Sequence, residues 1–560
     1  MSNSAALEAC ERWRLRGNEA YKQDDLSRAE ECYTKGVKSV PCNDISESLC
    51  LEPLVLCYSN RAAVSMTCKR FRDALGDCLV AATLDPNFLK VRLRAANCHL
   101  MLGEVEDAVQ YFNKFTESGG YLCLDRKVVL EAADGLQKAK KVANCIHQCA
   151  ELLKQRTSDA ATNALAIIDD VLSISSYSEK LLEMKGKALL MQLQKYEEVI
   201  QLCERTLGCA EKNFPMVGAG NNLPKGNGSQ YNKHPSVRLW RWHLMSRSHF
   251  QLGRLEVALD LIKKHEQLRC TEEKYQSNIL GSSMLFAATI RKLLHYEKAG
   301  NEALHAGRHT EAIEHYTAAI SSSTESRLFT AICFRKRAAA RQALGQISDA
   351  IADCNLAIGL DGNYLKAMYQ RATLHETVRD YEQATSDLKR FLSILEEQLQ
   401  EKVQVSGTPD GPTGSNVDER ARQSGTPDGI TGSKMAALRR ASRHLTLVEE
   451  KAEQETFLDL YLILGIKASD TASEIKQAYR EAALKHHPDK VATKFLAETG
   501  GNRQLWDEIA DEIFKNADRL YRMIAEAFGV LSERTKREAY DLKEEWRNAQ
   551  ENSNGSRASV

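Results

Sequence analysis

The side chains best equipped for chemistry in this chain are sixteen cysteines and a His487-Pro488-Asp489 tripeptide. Spacing decides what they can do. No two cysteines form C-x-x-C; the closest pair, Cys145 and Cys149, stands at helical i,i+4 spacing, and all sixteen lie at or before Cys354. That scatter suits neither a zinc cluster nor a disulfide framework, and free cysteines so placed act as small core hydrophobes. Reduced thiols fit the cytoplasm or the nucleus. With no nucleophile–base pair, phosphate loop or metal cluster, the sequence predicts no catalytic residue, no metal and no cofactor. The tripeptide differs. Pro488, with its locked φ and missing N–H, ends a helix and fixes a corner on which His487 and Asp489 are displayed to a partner. Lys476, Arg480, Lys485 and Lys490 give the preceding helix a basic flank.

The elements that position these residues are helices. A chain of 560 residues is too long for one core and divides into several domains. Its 43% hydrophobic and 27% charged residues are the balance of a folded protein. Lys plus Arg equals Asp plus Glu, 76 against 76, so no global charge draws it to nucleic acid or to a membrane surface. The charged stretch Met1–Asn18 has no apolar signal region, and the best apolar run, 279–290, is broken by Gly281, Ser282 and Ser283. Membrane insertion is therefore not expected.

A small residue recurs through the chain at Ala74, Ala108, Ala312, Ala350 and Ala384, with weaker copies at Ala164, Val199 and Ala258. Ala74 to Ala108 and Ala350 to Ala384 each span 34 residues, the tetratricopeptide (TPR) period. Trp13, Gly17, Ala20, Tyr21, Ala29, Tyr33 and Pro41 nearly reproduce that repeat's pattern, with Arg16 in its Leu slot. The expected fold is all-α: about nine helical hairpins in three groups, stacked as a superhelix because one hairpin cannot bury its apolar face alone. The groups lie near 10–122, 145–268 and 293–398, with capping or joining helices near 124–144 and 277–292. The domains expected are 1–144, 145–276 (with a Gly/Asn-rich loop at 218–228), 277–401, a Gly/Ser/Thr/Pro linker at 402–434, a charged helix at 435–455, a compact domain at 456–548 and a disordered tail at 549–560.

The first three repeats resemble chaperone-binding TPR domains, in which five polar positions clamp a chaperone's C-terminal Glu-Glu-Val-Asp tail. The matching residues are Arg14 and Asn18, Asn60, and Lys90 and Arg94. The resemblance implies that three cations and two amides hold the terminal carboxylates by charge-assisted hydrogen bonds. The third group keeps Asn301 and Lys366, with Arg371 one place late, as a degenerate second clamp; Glu297 stands where a cation belongs, beside Lys336 and Gln370. The middle group shows no clamp.

From Phe457 to Trp546 the chain resembles the J domain of DnaJ-type co-chaperones. Asp459-Leu460-Tyr461-Leu462-Ile463-Leu464-Gly465 matches the first helix and its stop, Ser473–His487 the second, and Ala525-Glu526-Ala527-Phe528 with Lys536–Asp541 the rest. The resemblance implies that His487, Pro488 and Asp489, with the flank Lys476, Arg480, Lys485 and Lys490, engage heat-shock protein 70 and trigger its ATPase. It also implies tail binding to heat-shock protein 90 and contact with unfolded clients. Two residues depart from the family: Ala482 replaces the usual leucine and His486 a frequent tyrosine, which should thin the core slightly. The segment after the tripeptide is longer than usual. Trp506, Ile509, Ile513, Ala517, Leu520, Ile524, Phe528 and Leu531 recur three or four apart, predicting one helix from Arg503 to Leu531. Its apolar stripe should fold onto Phe495 and Leu496, or dock on Leu438 and Leu445 or on the end of the array. The leading expectation is a co-chaperone; the alternative is a scaffold whose repeats bind an unrelated partner.

Overall fold

The computed structural model describes residues 3–40, 51–119, 126–192, 195–214, 237–271, 278–323, 325–405, 427–453, 457–491 and 503–557. The described secondary structure is helical. The expected loop at 218–228 and most of the expected linker, 406–426, lie outside the described residues. Among the described residues, nine helical hairpins precede the C-terminal domain. The chain falls into two units, residues 1–249 with 257–277, and residues 250–256 with 278–560.

The first unit pairs Asn3–Lys22 with Leu26–Lys38, Glu52–Thr67 with Phe71–Leu84, and Leu89–Leu102 with Val105–Gly119. Arg126–Lys154 with Ser158–Leu172, Glu179–Met191 with Tyr196–Asn213, and Val237–Gln251 with Leu255–Thr271 follow. The repeated small residues explain the packing. Ala74, Ala108, Ala164, Val199 and Ala258 are all fully buried, which lets backbones approach at the helix crossings. At Gly17 the approach is close enough that a Cβ there would lie 2.5 Å from the Tyr33 ring.

The boundary expected at residue 144 falls inside a single helix, Arg126–Lys154. No proline interrupts that segment. Its Ala132, Ala139, Val142, Ile146 and Cys149 join one core with Phe112 and Phe115 before it and Ala164 and Ile168 after it. The first two repeat groups therefore share one unit.

The second unit stacks Asn278–His305 with His309–Ser322, Arg327–Ala343 with Ile347–Leu360, and Leu365–Thr377 with Tyr381–Val405. Here too a joining helix and the first repeat helix are continuous, as Asn278–His305. The charged helix runs Pro427–Ala452, beginning before residue 435; a proline in the first turn costs no helical hydrogen bond. Its Ala441 packs on Phe391 and Leu395, its Val448 on Ala384 and Leu388.

The C-terminal domain comprises Leu460–Leu464, Ala472–His486, Arg503–Leu531 and Arg534–Arg557. Asp459 caps the first helix by accepting from Leu462 N, and Gly465 stops it in the left-handed region at φ 67°. Thr471 and Glu474 form a reciprocal capping box on the second. The third spans 29 residues, as its apolar spacing predicts. The last continues to Arg557, through the tail expected to be disordered; the segment contains no proline to end it.

The C-terminal domain shares its core with the repeats of the second unit. Leu460, Ile463, Leu520, Ile524 and Tyr540 form one apolar cluster with Ile347, Ile351, Cys354 and Val378 of the repeats. Ile509 and Ile513 of the extended helix enter a second, with Ala357, Ile358 and Leu360. The stripe thus docks on the array and not on Leu438 or Leu445, which face the last hairpin. Phe495, Leu496 and the side chain of Trp506 lie outside the described residues.

Candidate functional site

In the first unit, Arg14 and Asn18, Asn60, and Lys90 and Arg94 stand on the opening helices of three successive hairpins. Asn18 is central. Its Oδ1 accepts from the Tyr33 hydroxyl at 2.7 Å and from Asn60 Nδ2 at 3.0 Å, locking the two amides together across two helices. Arg94 Nη1 donates to the Ser59 carbonyl at 2.6 Å, which fixes the guanidinium beside Asn60. Arg14 pairs with Glu11 one turn earlier, through Nε at 2.7 Å. Lys90 is exposed. Among the described residues it makes no hydrogen bond or ion pair, so its ammonium needs no other contact broken before it meets an anion.

The counterparts in the second unit keep the frame and lose the charge. Asn301 Oδ1 accepts from the Tyr316 hydroxyl at 2.9 Å, repeating the Asn18–Tyr33 bond. Lys336 Nζ is held 2.7 Å from Glu297 Oε1, so the cation and the anion cancel. Lys366 is exposed.

Arg371 is a correction. It is buried, and its guanidinium is engaged by Asp387 at 2.8 and 2.6 Å and by Asn355 at 2.8 Å, which removes it from any peptide groove. Arg61–Asp77 and Arg337–Asp353 are the same device, each arginine sixteen residues before its aspartate. The 371-to-387 interval in the sequence carries the same signal. Arg371 stands one place late because it occupies the structural register that follows Asn60, Lys336 and Gln370.

The tripeptide closes the second helix of the C-terminal domain. His487 is its C-cap residue, and its carbonyl accepts from the N–H groups of Lys490 at 3.0 Å and Val491 at 3.0 Å. The imidazole stands edge-on to Tyr521, with centroids 5.3 Å apart. Pro488 is buried, whereas the Asp489 side chain is 73% exposed. Of the flank, Lys476, Arg480 and Lys490 are exposed; Lys485 Nζ lies 2.6 Å from Asp349 Oδ2 of the repeats. His486 does not merely thin the core: it is buried, with Nε2 3.0 Å from the other Asp349 oxygen. Asp349 is held well below the usual carboxylate range, because hydrogen bonds from His486 and Lys485 outweigh the opposing effect of burial.

Further polar bonds tie this domain to the array. Arg519 reaches Asp380 at 2.9 Å. Arg379 spans Asp459 at 2.8 Å and Glu544 at 2.6 Å, and Arg371 also donates to Asn516 Oδ1 at 3.1 Å. Among the described residues one group, His99, Glu104 and Asp107, has metal-ligand character. Arg72 and His99 already bridge Glu104 at 2.5 and 2.7 Å, so a guanidinium supplies the positive charge there.

Residues 459–499 match the DnaJ domain family. Over 537 residues the chain is 24% identical to a Dictyostelium discoideum protein described as DnaJ homolog subfamily C member 7 homolog, spanning 95% of this chain and 79% of that one. It is 23% identical over 546 residues to DnaJ homolog subfamily C member 7 of Homo sapiens, spanning 97% and 87%. In fold it is similar to the crystal structure of the P58(IPK) TPR domain, with a TM-score of 0.52 at 17% identity over 71% of this chain and 99% of that one. No described helix is long and apolar enough to cross a membrane.

Proposed function

From a chain that carries a J domain beside TPR hairpins and is related to the DnaJ subfamily C member 7 co-chaperones, we infer a mechanism with two contacts and no catalytic group of its own. The first contact is with heat-shock protein 70. His487 and Asp489 are presented at a corner that Pro488 keeps rigid, and Lys476, Arg480, Lys485 and Lys490 supply the positive field that orients an acidic chaperone surface. The ATP and the groups that hydrolyse it belong to the partner.

The second contact is the groove of the first unit, which takes the Glu-Glu-Val-Asp tail of heat-shock protein 70 or 90. Asn18 and Asn60 are already bonded to each other, so their orientation is set before the ligand arrives, which lowers the ordering cost of binding. Lys90, Arg94 and Arg14 then meet the carboxylates. Client polypeptides would pass between the chaperones so recruited.

The observation that carries this reading is the exposed Asp489 on a buried proline corner, within a complete four-helix J core. Steady-state ATPase assays of a heat-shock protein 70 with the full chain test it. Stimulation is expected with the native chain and not with His487→Gln, at unchanged helical circular dichroism. Equal stimulation by the two proteins contradicts the reading.

A further inference from the structure

We propose that Asp349 of the repeats occupies the chaperone-facing end of the J domain's second helix, so that the array and the chaperone compete for it. The proposal rests on the J-domain reading above and adds a restraint on it.

Both oxygens of this one carboxylate are taken by the two residues immediately before His487. Lys485 Nζ lies 2.6 Å from Oδ2 and His486 Nε2 3.0 Å from Oδ1. Asp349 is itself mostly buried, with a side-chain exposure of 16%, and His486 is buried beside it, whereas Lys485 keeps 53% of its side chain exposed, so the carboxylate and not the ammonium is shielded from solvent. An ammonium so engaged is partly neutralised and offers a weaker attraction to an acidic surface on another protein.

The packing beyond the pair keeps that end of the helix in place. Val491, two residues past the tripeptide, packs against the cluster containing Ala357, Ile358, Ile509 and Ile513. Tyr521 of the long helix covers one edge of His487. The long helix is anchored through Arg519 on Asp380 and through Ile513 on the repeat helix. At Gly359 the contact is so close that a Cβ would fall 2.6 Å from Ile513 Cγ1. The half of the basic flank far from the array, Lys476 and Arg480, stays exposed. A chaperone can therefore be recruited through the open half, but must break the Asp349 contact to use Lys485 and the whole corner.

Two full-length variants test the competition without touching the tripeptide. Asp349→Asn removes the charge that holds Lys485 and keeps the side chain's size. Gly359→Leu drives a wedge at Ile513: the nearest atoms to the added Cβ are Ile513 Cγ1, Ile513 Cδ1 and Ile509 Cγ2, all from the J domain. It also replaces glycine by a better helix former, so the repeat helix itself is not weakened. At sub-saturating concentration each variant is expected to stimulate the ATPase of a heat-shock protein 70 several-fold more than the native chain. Gly359→Leu should also speed hydrogen exchange over residues 509–524. Unchanged or lower stimulation by Asp349→Asn, with the native chain active and Asp489→Asn silent, overturns the competition and leaves the J-domain reading intact. Absence of stimulation by the native chain and both variants overturns that reading, and the competition with it.

Discussion

The groove of the first repeat group and that of the third are built on one frame and have diverged in charge. Both hold an asparagine against a tyrosine hydroxyl, Asn18 with Tyr33 and Asn301 with Tyr316. Both brace the middle hairpin with a buried arginine–aspartate pair, Arg61–Asp77 and Arg337–Asp353. Around that frame the first groove presents Lys90 and Arg94, with Arg14 paired to Glu11, while the third sets Glu297 against Lys336 and has Gln370 where Arg94 stands. The arginine nearest a second clamp, Arg371, faces Asp387 and the J domain's Asn516. The lesson is that the hairpin specifies where a side chain stands, and only the residue at that place decides what charge the groove presents. In the third group Arg371 is turned inward and meets the J domain's Asn516, while Lys366 stays exposed.

Several substitutions can break that comparison or sharpen it. The largest effect is expected at Arg371. Removing one partner of a buried ion pair costs about 3–5 kcal/mol, so Arg371→Ala should lower the thermal midpoint of the second unit while tail-peptide affinity stays constant. Loss of peptide affinity with stability intact would return Arg371 to a groove. Next come Lys90→Ala and Arg94→Ala. Each should weaken a Glu-Glu-Val-Asp peptide, bound at roughly micromolar strength or about −8 kcal/mol, by about 1.5–3 kcal/mol in calorimetry. Unchanged affinity in the double variant would falsify the clamp.

A smaller gain should follow from Glu297→Lys combined with Lys336→Asn, made in the Lys90, Arg94 double variant. These changes give the third groove four of the first groove's five clamp residue types, with Gln370 still standing where Arg94 does, and about 1 kcal/mol of peptide affinity should reappear. No recovery would mean that the two frames differ in more than charge. The smallest response is to pH. The Asp380 carboxyl is held down at about 2, because His375 and Arg519 outweigh its burial. A depressed carboxylate stabilises fully above its unfolded value of about 3.9 and loses that contribution as pH falls through the folded value. Exchange protection of residues 509–524 should therefore stay level from about pH 8 to about pH 5 and fall only in stronger acid. A loss already near neutral pH would show that Asp380 does not anchor Arg519.

Much of this was legible in the sequence. The repeats could be registered because Ala74, Ala108, Ala350 and Ala384 sit at helix crossings where any larger residue would force the helices apart, so their spacing follows the geometry. The long J helix was legible because its apolar positions keep helical spacing from Ile509 to Leu531. The joining helices were legible near 124–144 and 277–292, but their continuity with the repeat helices that follow was not, because it rests only on the lack of a proline within Arg126–Lys154 and Asn278–His305. The docking was half visible. An apolar stripe at Ile509 and Ile513 demanded a cover, but nothing local distinguishes Gly359 from any other glycine or marks Asp349 as the partner of Lys485. Arg371 was misread because adjacent helical positions point about 100° apart, and only the aspartate sixteen residues later reveals which one faces inward.

The central claim is that the exposed corner of the J domain acts on a partner's active site and performs no chemistry itself. Single-turnover hydrolysis by ATP-loaded heat-shock protein 70, mixed with the full chain or with its Asp489→Asn variant, tests this directly. The native chain is expected to accelerate hydrolysis, and the folded variant to leave the basal rate unchanged. Acceleration by the variant equal to that of the native chain would contradict the account.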